Sequence, residues 1–135
     1  MSDPIGDVRG VAPELKAKLE AEGIKNTQQF LERARTAKQR TELAHKVSAT
    51  PVAIKEIANR ADLMRLKGVG GAFSDLLEEV GVNSCKELQH RLPEKLHKTL
   101  QEYHQSKKLT HYAPTQAQVT EWIAEAKTLA ASSPE

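Results

Sequence analysis

The chain has 135 residues, room for one domain or for two half-sized copies of one. Hydrophobic residues make up 39% and charged residues 28%, an ordinary globular balance, and 20 Lys+Arg against 18 Asp+Glu leave a net +2, too little for bulk attraction to nucleic acid. One cysteine excludes an internal disulfide framework and a cysteine-cluster zinc site, and no apolar run approaches the roughly 18 residues that would span a bilayer.

From the N-terminus onward every signal is helical. Pro4, Pro51, Pro93 and Pro114 stand where proline opens a helix, whose first turn needs no N–H bond. Leu15 and Leu19, then Phe30, Leu31 and Ala34, have helical spacing. So do Leu76, Leu77 and Val80, and Leu96, Leu100 and Tyr103. Asn26 with Gln29, and Ser84 with Glu87, have the capping-box spacing. Gly23 and Gly81 stand where a left-handed residue ends a helix. No strict alternation is long enough for a strand. The start, Met1-Ser2-Asp3-Pro4, lacks the basic-then-apolar order of a secretory signal, so the expectation is a cytoplasmic protein with no membrane partner.

Many of these signals recur at an offset of 58 residues. Gly10/Gly68, Val11/Val69, Leu19/Leu77, Glu20/Glu78, Gly23/Gly81 and Arg33/Arg91 are identical, and most apolar positions between them agree. Ile54-Lys55-Glu56-Ile57 then corresponds to Val119-Thr120-Glu121-Trp122 after a small insertion. The expectation is an all-α fold of two tandem units, 4–61 and 62–130, packed as one compact helical domain, with an exposed, flexible tail at 131–135. Each unit reads as a short helix, a Gly turn, a longer helix and three helices of moderate length. Leu66, Val69, Phe73, Leu76, Leu77 and Val80 are expected in the core of the second unit, and Val8, Val11, Leu15 and Leu19 in that of the first. Trp122 is expected to seal the last helix onto the bundle.

The most informative stretch is Lys67-Gly68-Val69-Gly70-Gly71-Ala72-Phe73. Gly68 and Gly70 would permit a tight reversal with positive φ, Val69 would plug the gap between two helices, and the new helix would open with unsatisfied N–H groups suited to an anion. This stretch resembles the helix-hairpin-helix motif. The resemblance implies contact with a backbone phosphate of DNA, independent of sequence, and carries over to Lys67, Gly68, Val69, Gly70 and Gly71, with Arg65 supplying charge. The first turn keeps Gly10 and Val11 but has Ala12 and Pro13 where amides would be wanted, and Glu14 beside them. It reads as structural, leaving Arg9 and Gly10 as weaker candidates. With the duplicated Gly-Val turns, Ala61-Asp62-Leu63-Met64-Arg65 and the closing Trp122-Ile123-Ala124-Glu125-Ala126-Lys127, the chain over about residues 5–129 also resembles a bacterial family of domains of unknown function.

Charge is distributed unevenly. Arg33, Arg35, Lys38, Arg40 and Lys46 against Glu42 leave residues 33–46 at +4, and Lys95, Lys98, Lys107 and Lys108 against Glu102 leave 95–111 at +3. Asp75, Glu78, Glu79, Glu87 and Glu94 against Lys86 and Arg91 leave 68–94 at −3, which opposes a phosphate polymer along the helix after the second hairpin. Arg35, Lys38, Arg40, Lys95 and Lys98 are thus further candidates for gripping phosphate, with Arg60 extending one basic surface toward the hairpin. The other reading is solvated helix faces braced by Glu42/Lys46 and Lys98/Glu102.

No catalytic constellation appears. His90, His97, His104 and His111 fall at intervals of seven, which on one helix is a rise of about 10.5 Å, too far for a shared metal. Cys85 lies at a predicted helix start, where the macrodipole favours a lowered thiol pKa, but its counterpart Thr27 argues for simple filling. The expectation is a protein with no enzymatic activity, metal, cofactor or small-molecule substrate. Its partner is either duplex DNA or, through the acidic face of Asp75, Glu78 and Glu79, another protein.

Overall fold

A computed structural model describes residues 2–107 and 110–135. Among these there are eight α-helices and no strand, only an isolated bridge between Pro4 and Asn26. The helices are α1 (Pro13–Ala21), α2 (Thr27–Arg33), α3 (Ala37–Val47), α4 (Pro51–Leu63), α5 (Gly71–Glu79), α6 (Cys85–Leu88), α7 (Pro93–Lys107) and α8 (Gln116–Leu129). Single 3₁₀ turns at Ile5–Asp7 and Ala130–Ser132 complete the order. The molecule is one compact all-α body. No described helix is long and apolar enough to cross a membrane.

Short polar side chains set most helix starts. Asn26, Thr36, Thr50, Ser84 and Thr115 each accept the N–H three residues on, which satisfies one orphan donor and contributes about 1 kcal/mol per cap. Thr36–Gln39 and Thr115–Gln118 close full capping boxes. Asn26 and Ser84 make only the forward half: Gln29 turns back to the Lys25 N–H instead, and Glu87 pairs with Arg91. Proline opens α4 and α7 as expected, and Pro13 opens α1. Pro114 does not open a helix; Thr115 caps α8 one residue later.

The ends of α1 and α5 match in detail. Ile24 N–H reaches the Leu19 carbonyl at 2.9 Å, and Gly23 N–H the Glu20 carbonyl at 3.0 Å. Val82 to Leu77 and Gly81 to Glu78 repeat both bonds at the same distances. Gly23 and Gly81 have φ of 83° and 93°, the left-handed residue of a Schellman stop, and Ile24 and Val82 behind them are fully buried. Helix α6 is shorter than expected, a single turn between the Ser84 cap and Pro93.

Two apolar clusters fill the interior. One gathers Ile5, Leu19, Phe30, Leu43, Ile54 and Ile57 from the first five elements; the other gathers Leu63, Leu76, Leu77, Leu88, Leu100 and Trp122 from the end of α4 onward. Val8 and Leu66 join their clusters fully, whereas Val11, Leu15, Phe73 and Val80 pack against them half-buried. Helix α4 contributes to both, which makes it the spine. Residues 131–135 depart from the expected exposed tail, because Ser133 and Pro134 are buried.

Candidate nucleic-acid interface

The second glycine turn grows directly out of α4. After Leu63, the Arg65 N–H bonds the Asp62 carbonyl at 3.2 Å, Leu66 N–H bonds Leu63 at 3.1 Å, and Val69 N–H bonds Leu66 at 3.1 Å. Gly68 reverses the chain at φ 82°, a conformation that a side chain would strain. Val69 is buried between the helices, as expected. Gly70 differs from expectation: at φ −95° and ψ −162° it is extended and forms the N-cap of α5. It is glycine there without conformational need, and a Cβ would meet nothing within 4 Å.

Helix α5 begins without a side-chain cap, and the Gly71, Ala72 and Phe73 N–H groups find no acceptor among the described residues. Helix α1 likewise starts uncapped, from Ala12, but Pro13 occupies its first position. An open hollow of about 520 Å³ lies at the second turn, lined by Asp3 and residues 64–70. Two contacts from α8 brace it. Trp122 Nε1 donates to the Lys67 carbonyl at 3.1 Å, and the Lys67 N–H donates to Glu125 Oε1 at 2.9 Å. Phe73 lies beside Trp122, ring centroids 5.4 Å apart.

The two turns and the helices built on them fall within one recognised stretch. The chain belongs to the family described as Domain of unknown function (DUF4332), whose model matches residues 9–129. No curated protein and no solved structure matches the chain.

Within this DUF4332 domain the expected site residues separate into two groups. Arg65, Lys67, Gly68, Val69 and Gly70 gather around the hollow, with Gly68, Gly70 and Lys67 exposed. Gly71 is pressed from behind by the Asp7 carbonyl, which a Cβ would approach to 3.0 Å. None of the weaker candidates lines the hollow. Arg9 pairs with Glu79 at 3.3 Å, and that carboxylate holds its guanidinium above the usual arginine range. Gly10 packs against Arg60, whose Nη1 would lie 3.0 Å from a Cβ there. Arg35 and Lys38 are exposed at the start of α3, and Lys95 and Lys98 on α7. Lys108 lies outside the described residues.

Several arginines expected at a basic surface turn inward. Arg65 donates to Asp62 Oδ1 through Nε at 3.0 Å and Nη2 at 2.5 Å, to the Leu129 carbonyl at 3.0 Å and to Ser132 Oγ at 2.8 Å. Arg60, buried, joins the Arg9 carbonyl at 2.9 Å to Glu78 at 2.8 Å and so ties the first turn to α5. Arg40 donates to the Ala34 and Arg35 carbonyls at 2.9 and 2.8 Å. Arg33 pairs with Glu22. Neither Glu42/Lys46 nor Lys98/Glu102 forms an ion pair among the described residues, so the braced-face reading loses both of its pairs.

Asp62 is the residue that sequence reasoning missed. It is fully buried, and its carboxylate gathers Arg65, the Cys85 N–H at 2.9 Å and Ser133 Oγ at 2.8 Å. The available signal was its i,i+3 spacing to Arg65, on a helix end whose neighbours Ala61 and Leu63 are apolar. Burial, reinforced by Asp62, pushes the Cys85 thiol up to about 12, so helix-start activation of that thiol does not occur. Among the described residues no three His, Cys, Asp or Glu side chains converge as metal ligands, and His104 Nδ1 instead lies 3.4 Å from Thr110 Oγ1.

Proposed function

We propose that the chain is built from two copies of a helix-hairpin-helix unit and that its second hairpin contacts the phosphate backbone of duplex DNA without reading sequence. Supporting the duplication, α1 and α5 start at Pro13 and Gly71 and α2 and α6 at Thr27 and Cys85, both at the 58-residue offset. The positive-φ glycines, Gly10/Gly68 and Gly23/Gly81, keep the same offset.

One observation carries the phosphate reading. Five helices receive a side-chain acceptor at their first turn, whereas α5 opens on bare glycine with its amides free beside an exposed hollow. Free N–H groups at a helix start attract oxyanions, through both their donors and the helix dipole. Lys67, exposed on the rim, supplies the nearest mobile positive charge. The first hairpin, with Pro13 in place of a donor, serves packing.

Titration of a labelled mixed-sequence duplex at several salt concentrations tests this. Affinity should fall steeply as salt rises, and Lys67→Glu should weaken binding and lower the log–log salt slope by about one. Absence of low-salt affinity, or affinity indifferent to salt, overturns it.

A second reading is favoured by a different observation. Glu125 takes the Lys67 N–H, Asp3 stands on the rim and Arg65 is spent on Asp62, so the hollow carries less positive charge than a DNA site wants. On that reading the hairpins pack helices and the domain is a protein-interaction module. Recovery of a protein partner that survives nuclease treatment would favour it.

A further inference from the structure

A second concavity shares Met64 and Arg65 with the hollow at the second turn and opens beyond them, at the seam between the two apolar clusters. Its volume is about 680 Å³. Small-molecule sites typically span about 300–1,000 Å³. Helix α2 forms one side of this groove, and the end of α8 with the 3₁₀ turn Ala130–Ser132 forms another. Its apolar lining comes from Leu31, Met64 and Leu129. Met64 belongs to the first cluster and Leu129 packs against the second. Leu31 joins neither, although it shares its helical spacing with the buried Phe30 and Ala34, and it stays half-buried in the groove.

Most polar groups around the groove are already committed. Thr27 Oγ1 accepts the Asp3 N–H at 3.2 Å. Gln39 spends its amide on the Arg35 and Thr36 N–H groups and on the Glu32 carbonyl. Arg65 gives Nε and Nη2 to Asp62 and Leu129, and one Nη1 hydrogen to Ser132. Arg35 is the exception. Its guanidinium reaches the Ala131 carbonyl from Nη2 at 3.5 Å, the outer limit of a hydrogen bond, while Nε and Nη1 meet no acceptor among the described residues. Nor does any carboxylate pair with it there. Glu32, the carboxylate in the lining, is exposed and therefore screened by water.

We propose that this groove binds a small amphipathic carboxylate, its apolar body on Leu31, Met64 and Leu129 and its two oxygens on the Arg35 guanidinium. An open guanidinium edge presents two parallel N–H donors to a carboxylate, and the spare Nη1 hydrogen of Arg65 adds a further donor to the same lining. One unbalanced cation suits a monoanion: Asp62 already balances Arg65, and Glu32 opposes a second negative charge. The bound molecule touches α2 and α8 together, so it bridges the two apolar clusters. The site does not use the α5 amides and does not depend on the DNA reading.

Octanoate titrated into the full chain, followed by NMR and calorimetry, tests this. Octanol carries the same tail without charge, octylamine the opposite charge, and acetate the charge without the tail. Octanoate should bind saturably and about tenfold more tightly than octanol or octylamine, shifting the Leu31, Met64 and Leu129 methyl resonances, which acetate should leave in place. Arg35→Gln should lower octanoate to the octanol level and leave octanol unchanged. Leu31→Gln should weaken both, and Lys67→Glu neither. Equal affinity for octanoate, octanol and octylamine overturns the proposal. So does an unsaturated response that is the same in Arg35→Gln, meaning adventitious binding only. Sedimentation of the unliganded chain is a further check: a dimer that Leu31→Gln disperses would place a second copy in the groove and overturn it. Should Leu31→Gln fail to fold by circular dichroism, Arg35→Gln decides alone, since it alters an exposed side chain.

Discussion

The Asp62 carboxylate accepts the Cys85 main-chain N–H at 2.9 Å, and the Cys85 thiol donates back to the Asp62 carbonyl at 3.4 Å. This exchange fixes the one-turn helix α6 against the end of α4. Such a short helix has little stability of its own, so its place in the fold is held by this contact, by the Ser84 cap and by burial of Cys85 and Leu88. Since the same carboxylate receives Arg65 and Ser133, it joins α4, the second glycine turn, α6 and residues 132–133 at one point.

Asp62→Ala should therefore destabilise the protein by about 3–5 kcal/mol, because it strands a part-buried arginine, a buried amide and a buried hydroxyl together. Asp62→Asn keeps the shape but turns an NH₂ toward other donors, and should cost less. Urea unfolding of the three chains measures this. A loss below about 1 kcal/mol for the alanine variant would show that water replaces the carboxylate without difficulty.

The Cys85 thiol predicts an alkaline weakness. Its folded value is raised to about 12 by burial, above that of an exposed thiol, so the unfolded chain gives up the proton first as pH rises. Stability from this residue is complete below the unfolded thiol value and is lost upward from there toward about 12. The slope should approach about 1.4 kcal/mol per pH unit above the unfolded value. Urea midpoints between pH 8 and 11 should fall more steeply for the unmodified chain than for Cys85→Ala. Thiol reagents at neutral pH should label the protein only at its unfolding rate.

Asp75 makes a prediction of the same sign in the carboxylate range. Its Oδ1 is buried without a partner, and burial raises its pKa against the pull of Arg9 and Arg60, with Glu78 and Glu79 adding to the rise. A raised carboxyl binds its proton more tightly in the folded state, so its charge weakens the fold at neutral pH and the penalty fades as pH falls through the carboxylate range. Asp75→Asn should be more stable than the unmodified chain at pH 7 and converge with it near pH 4. Urea midpoints at the two pH values check the sign.

How much of this was legible in the sequence depended on the range of each interaction. Helix stops at Gly23 and Gly81, and the Val69 plug, are local: each follows from a backbone angle or a spacing of a few residues, and each is present in the structure. The fate of the arginines is not local. Arg33, Arg40, Arg60 and Arg65 read as surface charge because their partners are scattered: Glu22, the Arg35 and Glu135 carbonyls, Glu78 and the Leu129 carbonyl. Counting charge by segment placed them outside, but desolvated guanidinium groups that bond main-chain carbonyls are invisible to such a count. The buried Ser133 and Pro134 escaped notice for the same reason, since a Ser-Ser-Pro-Glu end carries no hydrophobic pattern and is held by partners far away in the chain.

The three glycines between α4 and the first turn of α5 should respond to alanine in three different ways. Gly68→Ala places a side chain at φ 82° and should cost about 1–2 kcal/mol, although the nearest atom, Trp122 Nε1, is a permissive 3.9 Å away. Gly70→Ala meets open space in an extended conformation and should be neutral or slightly stabilising through the unfolded chain. Gly71→Ala drives a methyl to 3.0 Å from the Asp7 carbonyl, a backbone atom that cannot swing aside, and should destabilise by prising the first 3₁₀ turn from α5. Thermal midpoints of the three variants would therefore rank Gly70 above both neighbours. Equal losses at Gly68 and Gly70 would mean that the turn needs positive φ at both, as its sequence alone suggests, and that α5 opens differently from the geometry described above.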